Sequence, residues 1–292
     1  MFDAVLTFRL LSVVVFVAGP GLLTERLSAA DETASAPSDE KRPCGVIVHT
    51  VESEFQAGPT EIRVLPPTAS KQGKKHRTLY VLPVEAGNGK RWGDSIQEVV
   101  RHDIHNRHDL VCVFPTFSRL PWYADHPTEL AIRQESHFLK TVVPFVERAY
   151  PVESVREARL LVGFSKSGWG AWSLLLRHPK QFGKAAAWDA PLMTDKPNKY
   201  GMGPIFATQE NFERYQISAL LKNRADPLGR SPRLILMGHD AFKAQHEAVH
   251  RLMDTLKLRH HYREGPHRDH SWNSGWLPEA VELLVSDSGD GK

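Results

Sequence analysis

The stretch Leu160–Ala171 (LLVGFSKSGWGA) constrains this chain more than any other. An apolar run ends in Gly-x-Ser-x-Ser and passes directly into a helical pattern. A serine held on so tight a strand-to-helix turn needs small residues two positions before and two after it, because the backbone folds back on itself there. Gly163 and Ser167 satisfy this around Ser165, whereas centring the turn on Ser167 would put the bulky Trp169 at a small position. An ordinary strand–helix connection is the plainer reading. Either way the segment requires a buried strand with a helix packed back over it, the repeating unit of a largely parallel sheet.

The rest of the chain repeats this alternation. Short β-rich runs occur at Val46–Glu52, Thr60–Leu65, Thr78–Val84, Leu110–Phe114, Ala158–Val162, Lys184–Trp188, Arg233–Met237 and His260–Arg263. The first two read as an antiparallel pair. Helical patterns fall at Ser95–Asn106, Thr128–Ala149, Gly168–Arg177, Ala241–Leu256 and Leu277–Val285. The expected fold class is α/β, a mostly parallel central sheet with helices on both faces. The Pro- and Gly-interrupted stretch Pro191–Ser231, with one helical piece at Asn211–Leu221, reads equally as a lid or pocket wall or as a surface excursion.

The ends have a different character. Leu10–Ala18 is a short apolar run preceded by Arg9, and Ser28-Ala29-Ala30 supplies small residues before Asp31. The run is shorter than a membrane span requires and fits a signal peptide over residues 1–30; a retained anchor is the alternative, since Asp3 and Arg26 are atypical of such leaders. Residues 31–43 read as a flexible linker, 44–285 as one domain, and 286–292 as a polar tail. The expected location is secreted or periplasmic, with no stable membrane insertion after cleavage. The 37 Lys and Arg against 34 Asp and Glu leave a net charge of +3 with no long basic run, which argues against nucleic acid as a partner. The 2 Cys, Cys44 and Cys112, rule out a disulfide framework, and whether they pair is left open.

A serine hydroxyl needs a base to remove its proton, and the base needs an acid to fix its tautomer. With Ser165 at the turn, the helix N-terminus behind it offers the Lys166 N–H to a developing oxyanion. The partners should follow in the order Ser, acid, His. Asp240, in the turn after Arg233–Met237, is the first candidate for the acid, and Asp189, after Lys184–Trp188, is its competitor. For the base, His270 beside Ser271-Trp272 is preferred and His267 is the fallback.

These segments together resemble the esterase D and enterochelin-esterase-like family of α/β-hydrolases. Gly163-Phe164-Ser165-Lys166-Ser167-Gly168-Trp169-Gly170-Ala171 is similar to that family's G-H-S-M-G-G-x-G-A, Gly238-His239-Asp240 to its strand-end aspartate, and His270-Ser271-Trp272 to its G-G-H-x-W. The stretch Glu135–Glu147 resembles the helix that precedes the turn. The resemblance spans roughly residues 45–285 and implies an α/β-hydrolase fold, a Ser-His-Asp triad and no metal or organic cofactor. The family usually carries glycine where Ser167 stands, and a His-Gly or Ser-Gly pair where this chain has Pro83-Val84. By that register the second oxyanion donor is the N–H of Glu85, whose carboxylate must then point away or pair with a cation such as Lys166. Trp122 and Tyr123 lie where the family lines its substrate pocket, and they read either as a stacking surface or as loop packing.

The 15 His leave one rival. His246-Glu247-Ala248-Val249-His250 matches the zinc-peptidase pattern H-E-x-x-H, in which two histidines share a helix face. No third ligand follows at the expected spacing, since Leu256 stands there, so an exposed pair of helix histidines is the plainer reading. The expectation is a serine esterase acting on a small-molecule or polysaccharide ester, acetyl or feruloyl. A zinc metallopeptidase and a non-catalytic hydrolase-fold binding protein are the alternatives.

Overall fold

The computed structural model describes residues 45–69, 73–224, 228 and 231–286. The expected leader, the linker, Cys44 and residues 287–292 of the tail lie outside the described residues. Eight strands form one sheet: β1 (Ile47–Val51), β2 (Thr60–Leu65), β3 (Arg77–Val81), β4 (Leu110–Pro115), β5 (Arg159–Phe164), β6 (Lys184–Trp188), β7 (Leu234–Met237) and β8 (His260–Arg263). Their order is β1-β2-β4-β3-β5-β6-β7-β8. The β1–β2 and β2–β4 pairs are antiparallel, and every later pair is parallel.

The parallel strands β3 to β7 read as largely apolar runs because both faces are covered, whereas the edge strand β8 is polar and half-buried. On one face Tyr80, Val113, Leu161 and Ala185 pack with Trp169, Trp172 and Phe182; on the other, Leu79, Val81, Leu160 and Val162 pack with Trp276, Leu277 and Val281. Cys112 is buried on the second face. The helices are α1 (Ser95–Arg101), α2 (Ile104–Arg107), α3 (Gln134–His137), α4 (Val143–Ala149), α5 (Ser165–Arg177), α6 (Gly203–Phe206), α7 (Gln209–Glu213), α8 (Ile217–Arg224), α9 (Lys243–Thr255) and α10 (Trp276–Val285). Among the described residues no helix is long and apolar enough to cross a membrane.

Two expected helices are interrupted for local reasons. The first breaks at Asp103, which adopts a left-handed φ of 51° and separates α1 from α2. The second starts only at Gln134, because the chain before it is held as a turn by the His126 Nδ1, which accepts the N–H of Glu129 at 2.9 Å. It then widens into a π-turn over Phe138–Val142 just ahead of Pro144, whose missing N–H cannot continue the α-helical ladder.

Among its described residues the 191–231 stretch holds three short helices, α6 to α8, where one piece was expected. It is neither a detached lid nor a surface loop: Ile205, Phe206, Phe212, Ile217 and Leu221 are buried in one core cluster with Trp122 and Trp169, which Phe206 meets directly. A carboxylate fixes it to the body. Glu135 accepts two hydrogen bonds from Arg177 at 2.8 and 2.9 Å, meets His178 Nε2 at 2.6 Å, and accepts from the Tyr215 hydroxyl at 3.2 Å. Burial alone would raise the Glu135 pKa, but the hydrogen bonds and charges of His178 and Arg177 outweigh it and hold the carboxyl at about 2.

Replacing Glu135 with Gln strands the Arg177 charge and is expected to cost about 3–5 kcal/mol of unfolding free energy in urea titrations. Because the folded pKa is depressed, the contribution of Glu135 is complete above its ordinary value of 4.5 and fades as pH falls toward 2. The wild type should therefore lose part of its advantage over Glu135→Gln across that acid window.

Candidate active site

Ser165 stands at the junction of β5 and α5 with φ of 51°, a conformation that L-residues rarely adopt outside strained sites. Its N–H donates to the Asp189 carbonyl at 3.2 Å, tying the turn to the end of the neighbouring strand β6. The turn is as tight as the small-residue pattern demands. A Cβ at Gly163 would overlap the Ser167 carbonyl group and lie 2.7 Å from its Oγ. Ser167 takes the place of the expected glycine and binds the turn from within: its Oγ accepts the Phe164 N–H at 3.1 Å and donates to the Phe164 carbonyl at 2.9 Å. Fully buried and so engaged, the Ser167 hydroxyl has no access to a substrate.

His270 sits beside this turn, with its ring 5.1 Å from Phe164, 4.9 Å from Trp92 and 5.8 Å from Phe242. Its Nδ1 lies 2.5 Å from the carboxylate of Asp189. A carboxylate can only accept, so Nδ1 carries the proton and Nε2 presents its lone pair. The same carboxylate accepts N–H bonds from Asp240, Ala241 and Phe242 at 2.8, 3.2 and 2.8 Å. Burial acts to raise the pKa of Asp189, but the bonds from His270 and the backbone N–H groups prevail and lower it.

The carboxylate that meets His270 is thus Asp189, the competitor in the sequence, and not the preferred Asp240. Asp240 does not meet His270; its carboxylate lies 2.7 Å from His267 Nε2. The strand register explains the exchange. Trp188 pairs with Met237, so Asp189 is one residue beyond the sheet and Asp240 three, carried outward by the left-handed turn at Gly238. The two candidate acids and two candidate bases are thus sorted into an inner and an outer pair.

The loop after β3 approaches the same place. The Glu85 carboxylate turns into its own loop, where Oε2 accepts the Arg91 N–H at 2.6 Å. The Lys166 ammonium is half-buried; burial lowers its pKa while the nearby charge of Glu85 opposes this. Trp122 and Tyr123 do not face a pocket. Both are fully buried, with Trp122 edge-on to Trp169 at 5.5 Å and the Tyr123 ring lying where a Cβ at Gly170 would be. Gln134 Oε1 accepts both of their N–H groups, at 2.7 and 3.0 Å, and the Tyr123 hydroxyl donates to the Pro83 carbonyl at 2.6 Å. Tyr123 thereby braces the loop after β3 from behind.

The aromatic surface that does flank His270 comes from Trp92 and Phe242, with the exposed Tyr200 5.7 Å from Phe242. Sequence reasoning missed these three. Trp92 had one available signal, its place in the glycine-dense loop after β3 where an oxyanion donor is sought.

The H-E-x-x-H pattern does not form one site. His246 is buried, not exposed as expected; its Nε2 accepts the Ala190 N–H at 2.8 Å, and burial pushes its pKa down to about 4. His250 lies on α9 against β8 instead.

A family model described as "Putative esterase" matches residues 119–280. No curated protein matches the sequence. Among solved structures, the S-formylglutathione hydrolase FrmB of Staphylococcus aureus aligns at 17% identity and a TM-score of 0.65, covering 82% of this chain and 98% of that one. A ferulic acid esterase aligns at 19% identity and TM-score 0.65, covering 82% and 97%. The fluorophosphonate-binding serine hydrolase FphF of Staphylococcus aureus aligns at 16% and 0.68, covering 83% and 98%. At these identities the structures show a shared fold.

Replacing Gly163 with Ala should force the turn open and cost about 3 kcal/mol or more, read as a fall in Tm. Gly58→Ala, where a Cβ meets nothing within 4 Å, should stay within about 0.5 kcal/mol of wild type.

Proposed function

The chain belongs to the "Putative esterase" family, and on that premise we propose that it hydrolyses carboxylic esters through an acyl-enzyme on Ser165, with His270 as base and Asp189 as the acid that orients it. The observation that carries this reading is the bond between His270 Nδ1 and the Asp189 carboxylate, made directly beside the strained serine turn.

With Nδ1–H committed to Asp189, His270 Nε2 takes the Ser165 proton as Oγ attacks the ester carbonyl. The negative charge that develops on the carbonyl oxygen is met by the N–H groups of Lys166 and Glu85. Collapse of the tetrahedral intermediate breaks the ester C–O bond, and the proton held by His270 passes to the departing alcohol. Water then attacks the acyl-enzyme, again through His270, and releases the acid. The inward fold of the Glu85 carboxylate keeps its charge off the oxyanion.

The substrate class we propose is an extracellular carbohydrate ester bearing an acetyl or feruloyl group, reached by an exported protein. The aromatic rim of Trp92, Phe242 and Tyr200 supports an aryl acyl group or sugar ring lying beside His270. One of the similar folds is a ferulic acid esterase.

Ser165→Ala is expected to abolish fluorophosphonate labelling and to lower kcat on acetyl and feruloyl esters by about 10⁴-fold or more. A well-folded wild type that neither labels nor hydrolyses would point to a binding protein instead. Asp189→Asn should lower kcat by about 10⁴-fold through loss of the correct tautomer, and Asp240→Asn by less than about tenfold. The reverse ranking would assign the acid to Asp240.

A further inference from the structure

The half of H-E-x-x-H that is not buried gathers different partners. His250 on α9 faces His260, the first residue of the edge strand β8, and His250 Nδ1 lies 2.8 Å from His260 Nε2. Asp254, one turn further along α9, brings Oδ2 to 3.5 Å from His250 Nε2 and Oδ1 to 3.9 Å from His260 Nε2. One ligand atom from each of the three residues falls within a 4.8 Å circle. The group is far from Ser165 along the sheet direction: His260 pairs with Leu234 at the start of β7, whereas the candidate site lies past the carboxyl ends of the strands.

Tautomer logic makes this more than a polar cluster. His260 Nδ1 is 2.8 Å from the Leu258 carbonyl, which only accepts, so Nδ1 bears the hydrogen and Nε2 offers a lone pair toward His250 and Asp254. The carbonyl thereby fixes this ring as backbone carbonyls fix metal-ligating histidines. With neutral rings His250 must donate from Nδ1 to His260. Its Nε2 lone pair is then turned toward the Asp254 carboxylate, so two acceptors face each other. An ion held by His250 Nδ1 and His260 Nε2 removes that conflict, because His250 then carries its hydrogen on Nε2, toward Asp254. The His250 ring is held flat on Tyr262, centroids 3.9 Å apart, and the Asp254 side chain is 59% exposed, which leaves an entry path.

We propose that His250, Asp254 and His260 bind a divalent ion of the zinc class, with water completing the shell, and that the ion clamps α9 to the edge strand β8. Two imidazoles and one carboxylate suit zinc, nickel or copper rather than calcium or magnesium. Zinc–ligand bonds of about 2.0–2.2 Å in a tetrahedral shell set ligand nitrogens about 3.3 Å apart. Binding through His250 Nδ1 and His260 Nε2 therefore moves the His250 hydrogen to Nε2 and needs the two nitrogens to part by about half an ångström from 2.8 Å, with each ring turned off the line that joins them.

The test uses the full chain, stripped with chelator and titrated with zinc by calorimetry, and with cobalt by visible absorption. Wild type, His260→Gln and Asp254→Asn are compared, each checked by circular dichroism. Expected are one zinc equivalent in the wild type and about tenfold to hundredfold weaker binding in each variant. Zinc at a hundred times the wild-type Kd should raise the wild-type Tm by about 5–10 °C and that of each variant by about half as much or less. Ester hydrolysis should be the same in all three proteins, which separates failure of this site from failure of the esterase reading. Zinc affinity that is unchanged in either correctly folded variant, or an absence of binding by the wild type, overturns the proposal.

Discussion

Asp189 is the residue on which the arrangement around Ser165 depends. Its carbonyl accepts the Ser165 N–H, its own N–H donates to the Gly238 carbonyl, and its carboxylate gathers His270 and three backbone N–H groups. One residue therefore joins the ends of β5, β6 and β7 to the loop after β8. The backbone at Asp189 is left-handed, φ 40°, a conformation that costs about 1–3 kcal/mol and persists only where surrounding bonds impose it. A buried carboxylate is likewise unfavourable unless nearly every lone pair is engaged, and here four donors engage them. The strain and the burial are both offset by the network that they create.

The second support lies on the other side of His270. Trp272 N–H donates to the Trp92 carbonyl at 2.8 Å, and the Ser271 hydroxyl donates to the same carbonyl at 3.2 Å. The Asn273 amide donates to the buried Glu98 on α1. Asp94 starts that helix by accepting the N–H groups of Ile96 and Gln97. The loop bearing His270 is thus pinned to α1 while its imidazole is pinned to Asp189. Two anchors on different elements hold one ring in one orientation.

The sheet was legible in the sequence because its central strands, buried on both faces, are short apolar runs with sharp bounds; all eight strands lie on the β-rich runs to within about three residues at each end. Helix ends were less so. The break at Asp103 and the widening before Pro144 depend on single residues whose effect periodicity does not register. At the candidate site the serine turn was legible because steric demand fixes residue size at fixed spacing. The carboxylate that meets His270 was not, since Asp189 and Asp240 both follow strands in the correct order and only the distance each lies beyond the sheet separates them. Trp122 and Tyr123 misled for a related reason. An aromatic pair on a loop looks the same in sequence whether it faces a ligand or braces the backbone, and here Gln134 turns both residues inward.

The inner and outer histidine–carboxylate pairs show why proximity alone does not choose a base. His267 and Asp240 are as well placed to hydrogen-bond as His270 and Asp189, but their side chains are 66% and 33% exposed, against 15% and 2% for the inner pair. In the outer pair, water competes for both partners, the interaction is screened, and little orientation results. In the inner pair the dielectric is low, the carboxylate has no solvent to turn to, and the ring has one tautomer and one direction available. An imidazolium formed during ester attack would be stabilised there by a charge that cannot move away. The same dryness demands the three N–H groups from residues 240–242. Asp240 therefore serves the site through its backbone, while its side chain is left to the surface.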